Sequence, residues 1–339
     1  MYPEDFLTDQ TERVLARTTR QDTSWRGDAA VVLRFVRDRL AASPALRVAA
    51  ALGSVRFVAY TPTDLTIVSG QVRAASSQAV RADLEILRRD FDGLVTYSCV
   101  DGVEQVPLIA SELGYRALIL GIWDPLSERE TANAVRLARA FPDLVVGVAV
   151  GNETLLAQRH DWDTLRAAMQ RLRAALPEVA IATSEPFYFY LNQDPPDFLA
   201  AQDFLLPSIH PLYESWFAQA DEQQTVDFVV QVVERLTALS DKPLLVKETG
   251  LPSGPPERGF TPARQAGFWV ALARQLPHRP GRAVAYFEAF DHPWKVENAA
   301  PEFGFHPEEA FWGLYSRDAE PKAALTALRR VWSANRRAE

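Results

Sequence analysis

The stretch Val145-Val-Gly-Val-Ala-Val-Gly-Asn-Glu153 decides how this chain is read. Its unbroken run of small and apolar residues predicts a strand buried on both faces, as in a parallel sheet. Asn152 and Glu153 then emerge at the C-terminal end. A buried carboxylate is expensive, so packing alone does not account for Glu153. A second segment, Lys242-Pro-Leu-Leu-Val-Lys-Glu-Thr-Gly250, delivers Glu248 in the same way. Two carboxylates at strand ends, in a chain that alternates strand and helix signals, predict a (β/α)8 TIM barrel, an α/β fold with its chemistry at the strand C-termini. Such a pair is the minimal equipment for cleaving a glycosidic bond.

Working outward, eight short apolar runs mark the strands: 55–60, 93–98, 116–123, 144–151, 178–184, 204–210, 243–247 and 282–290. Most are separated by amphipathic stretches of helical length, at 77–89, 103–113, 127–140, 162–176, 223–239 and 261–276, with a closing helix at 321–332. Thr261-Pro262 is the clearest helix start, a capping hydroxyl followed by proline. No Gly-x-Gly-x-x-Gly follows the first run, which weakens a doubly wound nucleotide-binding sheet. Residues 1–50 differ from the rest. Charged residues mixed with Ala, Val and Leu through Asp28 to Leu46 predict an N-terminal helical extension, too short for a substantial core of its own. Residues 51–335 are then the catalytic barrel.

Composition narrows the function. The chain has 339 residues, 47% of them hydrophobic, enough for one large barrel. A net charge of −8 without a basic stripe argues against nucleic acid and anionic membrane partners, and fits a neutral oligo- or polysaccharide. Cys99 is the only cysteine, which excludes an intrachain disulfide and reads as a packed small side chain. No metal-ligand spacing or phosphate-binding fingerprint is present, so neither metal nor cofactor is expected. No apolar run is long enough to span a bilayer, so no membrane insertion is expected. The Met1-Tyr-Pro-Glu-Asp5 start, with no basic and then apolar leader, predicts a cytoplasmic location.

The strand ends carry the candidate site. Glu153 is read as the general acid/base, because a leaving sugar oxygen needs a proton. Glu248 is read as the nucleophile. Asn152 is placed to bond the sugar hydroxyl beside the reacting carbon. Strand alternation puts Lys247 on the opposite side from Glu248. After the eighth run, Glu288, Asp291, Trp294 and Lys295 lie in a loop suited to sugar contacts, with Trp294 offering a stacking face. Tyr97, Trp123, His210 and Tyr213, with Phe187 and Tyr188, follow other strands and predict an aromatic-lined cleft. Tyr213 is expected to donate its hydroxyl to the nucleophile. Ser184 and Ser208 lack a Gly-x-Ser-x-Gly elbow, so a Ser-His-Asp hydrolase is the weaker reading.

Three motifs stand in order: Val148-Ala-Val-Gly-Asn-Glu153, Val246-Lys-Glu-Thr-Gly-Leu-Pro-Ser253 and Tyr286-Phe-Glu-Ala-Phe-Asp-His-Pro-Trp-Lys295. Together they resemble glycoside hydrolase family 17, β-1,3-glucanases and β-glucan transglycosylases, over roughly residues 55–328. The resemblance implies a (β/α)8 barrel, a retaining double displacement on β-glucan, an acid/base at Glu153 and a nucleophile at Glu248. His292 stands where many members have an acidic residue. Hydrolysis and glycosyl transfer remain alternatives, and a non-catalytic carbohydrate-binding barrel is the third, disfavoured by the presence of both glutamates.

Overall fold

The computed structural model describes residues 43–298 and 305–335. In chain order its strands are β1 (Phe57–Ala59), β2 (Thr66–Val68), β3 (Gln71–Arg73), β4 (Gly93–Val95), β5 (Ala117–Ile122), β6 (Val145–Asn152), β7 (Ala180–Ser184), β8 (Leu244–Val246) and β9 (Arg282–Val284). Five of them form one parallel sheet in the order β1-β4-β5-β6-β7, and β8 pairs with β9, also in parallel. Helices follow most strands: Ser77–Leu87, Val106–Glu112, Glu128–Ala140, Trp162–Ala175, Glu222–Leu239, Pro262–Gln275 and, last, Ala323–Asn335. Parallel strands need such crossovers, and the helices cover the sheet so that its strands are buried on both faces. The arrangement is a TIM-barrel-like α/β fold.

The sixth apolar run, 204–210, is not a regular strand. Pro207 has no N–H to donate to a neighbour, which limits the ladder it can form. The segment still lies between β7 and β8, through parallel bridges Pro186–Ser208, Leu205–Leu244 and Ser208–Glu248. Leu245 N donates to Leu205 O at 2.9 Å, and Lys247 N to Pro207 O at 2.9 Å. On the far side, Val58 bridges Tyr286 in parallel, and Ala59 N donates to Tyr286 O at 3.0 Å.

One apolar cluster fills the inside of this arrangement. Phe57, Val95, Ile119, Val146, Phe204, Leu206 and Leu245 meet small residues such as Ala117, Ala180 and Ala283 there. Gly147 is part of that fit, since a Cβ on it would come 2.9 Å from the Phe204 ring. The helix Pro44–Ser54 caps the cluster with Val48, Ala51 and Leu52. Arg47 on it reaches the carbonyls of Pro142 and Glu178, before β6 and β7, while Ala49 O accepts from Gly281 N, before β9. This helix therefore closes the end where strands begin, leaving the other end for chemistry.

Two local expectations change, and one element is added. The helix expected through Leu46 starts at Pro44, because proline suits a first helical turn whose N–H groups have no partner anyway. The rest of the expected N-terminal helix, Asp28 to Ala42, lies outside the described residues. The helix expected from Val103 opens with a 3-10 turn, Val103–Gln105, before the α-helix at Val106. Between β1 and Ser77, β2 and β3 make an antiparallel hairpin around Ser69 and Gly70, both at positive φ. Thr66-Ile-Val-Ser-Gly-Gln-Val-Arg73 carried that signal as alternating apolar residues about a Ser-Gly turn.

Candidate active site

The C-terminal end of β6 carries Asn152 and then Glu153. Gly151 and Glu153 both have positive φ, 78° and 49°. The left-handed conformation is uncommon for a residue with a Cβ and is held here by neighbours. Glu153 N donates to Ser184 O at 2.7 Å, at the end of β7. The next residue, Glu185, is fully buried and accepts from Leu155 N at 2.8 Å and Leu156 N at 3.2 Å. The loop after the acid/base candidate is thus clamped from the adjacent strand. Burial drives the Glu185 carboxyl up to about 7 against those amide hydrogen bonds, with the Glu153 charge adding to the rise.

Glu248 lies just beyond β8 and is 5% exposed. Its Oε2 faces His210 Nε2 at 3.4 Å, and its Oε1 faces Lys247 Nζ at 3.4 Å. One oxygen of Glu153, one oxygen of Glu248 and one ring nitrogen of His210 lie within 4.8 Å of one another. The sequence thus points to two carboxylates that the fold brings face to face. These three residue types can also ligate a metal, but the buried Lys247 ammonium already supplies a positive charge beside Glu248.

The environments of the two glutamates differ. Burial raises the Glu153 carboxyl, and the charge of Glu248 raises it further, against the opposing pull of His210, a 2.7 Å hydrogen bond from Ser208 Oγ, and Lys247. Burial also acts upward on Glu248, but Lys247, the His210 hydrogen bond and Lys295 outweigh it and hold that carboxyl at about 2. One carboxyl is poised to hold a proton and the other is held ionised. That divergence separates an acid from a nucleophile. His210 is itself raised: burial lowers it, but Glu248 more than compensates.

Around the pair, the expected residues divide. Tyr97 stands beside Glu248 with Lys247 Nζ 4.2 Å from its ring centre. Burial, then the charge of Glu248, pushes its hydroxyl well above the usual tyrosine range. Asn152 accepts a hydrogen bond from Lys247 through Oδ1. Trp123 is 46% exposed, with the Arg159 guanidinium 4.3 Å from its ring. Glu288 is fully buried, bound to Lys295 Nζ at 2.6 Å and pushed by burial to about 7 despite that cation.

Four expectations are corrected. Lys247 does not point away from Glu248. The backbone stays paired with the 204–209 segment through Lys247 N and Pro207 O, and the long, flexible four-carbon stem lets the ammonium reach the neighbouring carboxylate at the mouth. Tyr213 gives its hydroxyl to Glu309 at 2.7 Å rather than to Glu248. The 3-10 turn Pro211–Tyr213 carries it there, and His210 is the group facing Glu248. Asp291 is tied to Gly313 N at 2.9 Å and Lys322 Nζ at 2.8 Å, which makes it a fastener of the C-terminal segment. Trp294 begins a short helix, Trp294–Asn298, and packs half-buried against the core instead of standing free in a loop. Ser208, Glu185 and Lys247 join the site beyond the residues the sequence singles out for it. For Ser208 the only signal is its position two residues before His210 in the same apolar run, and for Glu185 its carboxylate at the end of another.

A TIM-barrel-like fold with two differently poised carboxylates facing each other at the strand ends defines a glycosidase. The model of the BtgE/BtgC glycoside hydrolase domain matches residues 58–313, and the chain belongs to that family, a glycoside hydrolase of the family 17 type. A relative from Arthroderma benhamiae, glucan 1,3-beta-glucosidase, is 26% identical over 270 residues, 71% of this chain and 83% of that protein. The fold is shared with an endo-laminarinase from Formosa Hel1_33_131, at a TM-score of 0.64 and 18% identity, over 81% of this chain and 86% of that one. It is shared too with a glycoside hydrolase family 17 beta-1,3-glucanosyltransferase from Rhizomucor miehei, at 0.60 and 18%, over 80% and 96%.

Proposed function

We propose that this protein is a retaining glycosidase that acts on β-1,3-linked glucan by double displacement. The observation that carries the mechanism is the approach of the two carboxylates, with one oxygen of each within 4.8 Å. Retaining pairs stand about 5–5.5 Å apart, whereas inverting pairs leave about 6.5–9.5 Å for a water. The linkage rests on the family and on the glucan 1,3-beta-glucosidase relative. We also read residues 51–335 as one catalytic unit whose strands close into a (β/α)8 barrel. The parallel bridges on either side of residues 204–209, and the one between Val58 and Tyr286, support that closure.

In the first half-reaction, Glu248 attacks the reacting sugar carbon while Glu153 gives its proton to the departing oxygen. The carbon–oxygen bond breaks and a glycosyl ester forms on Glu248. Esterification removes the charge that most opposes ionisation of Glu153 after burial, so its carboxyl falls and becomes a base. In the second half, Glu153 takes a proton from water, the water oxygen attacks the same carbon, and Glu248 leaves as a carboxylate. Asn152 bonds the hydroxyl beside the reacting carbon through both steps. Glycosyl transfer differs only in that a sugar hydroxyl replaces the water. The exposed rings of Trp123, Tyr188 and Tyr213 are surfaces on which an acceptor sugar can stack.

Incubation with linear β-1,3-, β-1,4- and β-1,6-gluco-oligosaccharides, followed by product sizing and NMR of the first-formed anomer, tests the reading. Shorter products of retained configuration from the β-1,3 series are expected, and products longer than the input signify transfer. An inverted first product overturns the double displacement. Cleavage confined to another linkage overturns the substrate.

A further inference from the structure

We infer that Lys247 is a positioning residue that fixes which end of the Asn152 amide the substrate meets. This rests on the reading of Glu248 as nucleophile.

Lys247 is 1% exposed, in the mouth of the site rather than on the surface. Its ammonium touches three groups: Asn152 Oδ1 accepts from it, Glu248 Oε1 lies 3.4 Å away, and the Tyr97 ring centre lies 4.2 Å away. An ammonium carries only donors. It can therefore accept nothing from the amide, and a flipped Asn152 would set its own NH2 against a cation. The contact commits the Asn152 oxygen inward and leaves its two N–H groups facing outward. Asn152 is only half-buried, so those donors face the space a sugar occupies. Glu248 Oε1 is buried beside the same ammonium and the Tyr97 hydroxyl. A sugar hydroxyl entering there finds a donor on Asn152. Lys247 sets this without touching the substrate.

Sequence position adds to the argument. Residue 247 precedes the nucleophile directly, so any movement of its backbone moves Glu248 as well. Lys247 N is fastened to Pro207 O at 2.9 Å, which ties the pair to the segment that carries Ser208 and His210.

The test compares an aryl β-1,3-gluco-oligosaccharide with its counterpart lacking the hydroxyl beside the reacting carbon. The wild-type protein should strongly prefer the complete sugar in kcat/KM. Lys247→Met, with its melting curve recorded, should cut that preference about tenfold, because the amide is free to turn. Its acid limb of kcat/KM should also rise by about one pH unit or more, as an opposite charge has left the nucleophile. The charged and titratable groups that still face Glu248 are His210, Lys295, Glu153, Glu288 and Tyr97, and none of them is altered. Adding Lys247→Met to Asn152→Ala should leave the preference where Asn152→Ala alone puts it. If Lys247→Met does not fold, Lys247→Gln is read in the same way. A lysine that merely packs predicts equal losses on both sugars and an unmoved acid limb. A folded variant with the wild-type preference therefore overturns the inference. A wild-type protein inactive on both glycosides overturns instead the reading of the site as a glycosidase.

Discussion

At the residue scale, Glu153 and Glu248 have opposite tasks, and variants should separate them. Glu153→Gln keeps the shape and removes the proton, so turnover on β-1,3-glucan should fall about 10²–10⁴-fold. A substrate with an easily departing group needs less protonation and should lose less in the first step. Near-wild-type activity on the polysaccharide would remove Glu153 from the acid role. Glu248→Ala should be inactive on both substrates, with azide entering the vacated space to give an adduct of inverted configuration. A slow fluorinated glycoside should label Glu248, and a label elsewhere reassigns the nucleophile. The two glutamates were legible because apolar strands rarely end in carboxylates without a task. The groups that tune them were not. Lys247 reads from alternation as turned away, and alternation says nothing of a long stem that brings its ammonium to Glu248. Glu185 and Ser208 act across strands, on partners 29–30 and 55 residues away, and no local pattern encodes that.

At the scale of elements, strand ends set the chemistry through their neighbours. Ser208 sits on the irregular segment between β7 and β8 and donates to Glu153 at 2.7 Å. A hydrogen bond given to a carboxylate favours its charged form. Ser208→Ala should therefore raise the Glu153 carboxyl further, and the basic limb of kcat/KM should move to higher pH. A limb that moves down, or not at all, would mean that Ser208 does not act on the acid. Close approach between β4 and β5 is a second such device. A Cβ on Gly121 would come 2.6 Å from the Tyr97 Cα, and backbone has little room to give. Gly121→Ala should cost about 1–3 kcal/mol of stability and weaken activity through Tyr97, measured by denaturant titration and kinetics together. Strands and long helices were legible from period and length, because burial on both faces demands continuous apolar runs. The sixth run was legible as apolar but not as irregular, because Pro207 leaves its bridges intact while breaking the ladder.

At the scale of the whole molecule, the C-terminal helix fastens distant parts of the chain. Asp90, at the end of the helix Ser77–Leu87 and before β4, receives Arg329 Nε at 2.8 Å, Arg329 Nη2 at 2.7 Å and the Tyr315 hydroxyl at 2.6 Å. Nearby, Trp332 Nε1 donates to the Tyr286 hydroxyl at 3.2 Å, beside the bridge that joins Tyr286 to Val58. The sequence predicted a closing helix at 321–332 but gave no sign of its acceptor, since a lone Asp90 after a helix reads as an ordinary turn residue. Burial acts upward on Asp90, but Arg329 and Tyr315 outweigh it and hold its carboxyl below the usual aspartate value. A carboxyl lowered by folding adds stability that is complete above its unfolded value, near pH 4, and is lost as pH falls through the folded value. Asp90→Asn should therefore lower the melting temperature by a few degrees at pH 7, for a loss of roughly 2–3 kcal/mol in charged hydrogen bonds. The gap between the two proteins should hold steady down to about pH 5 and narrow below about pH 4, where wild-type Asp90 takes up its proton. Melting curves recorded from pH 3 to 7 decide the matter. A gap that stays constant through that range means that shape rather than charge makes the fastening, and the Arg329 contact would then contribute only as packing.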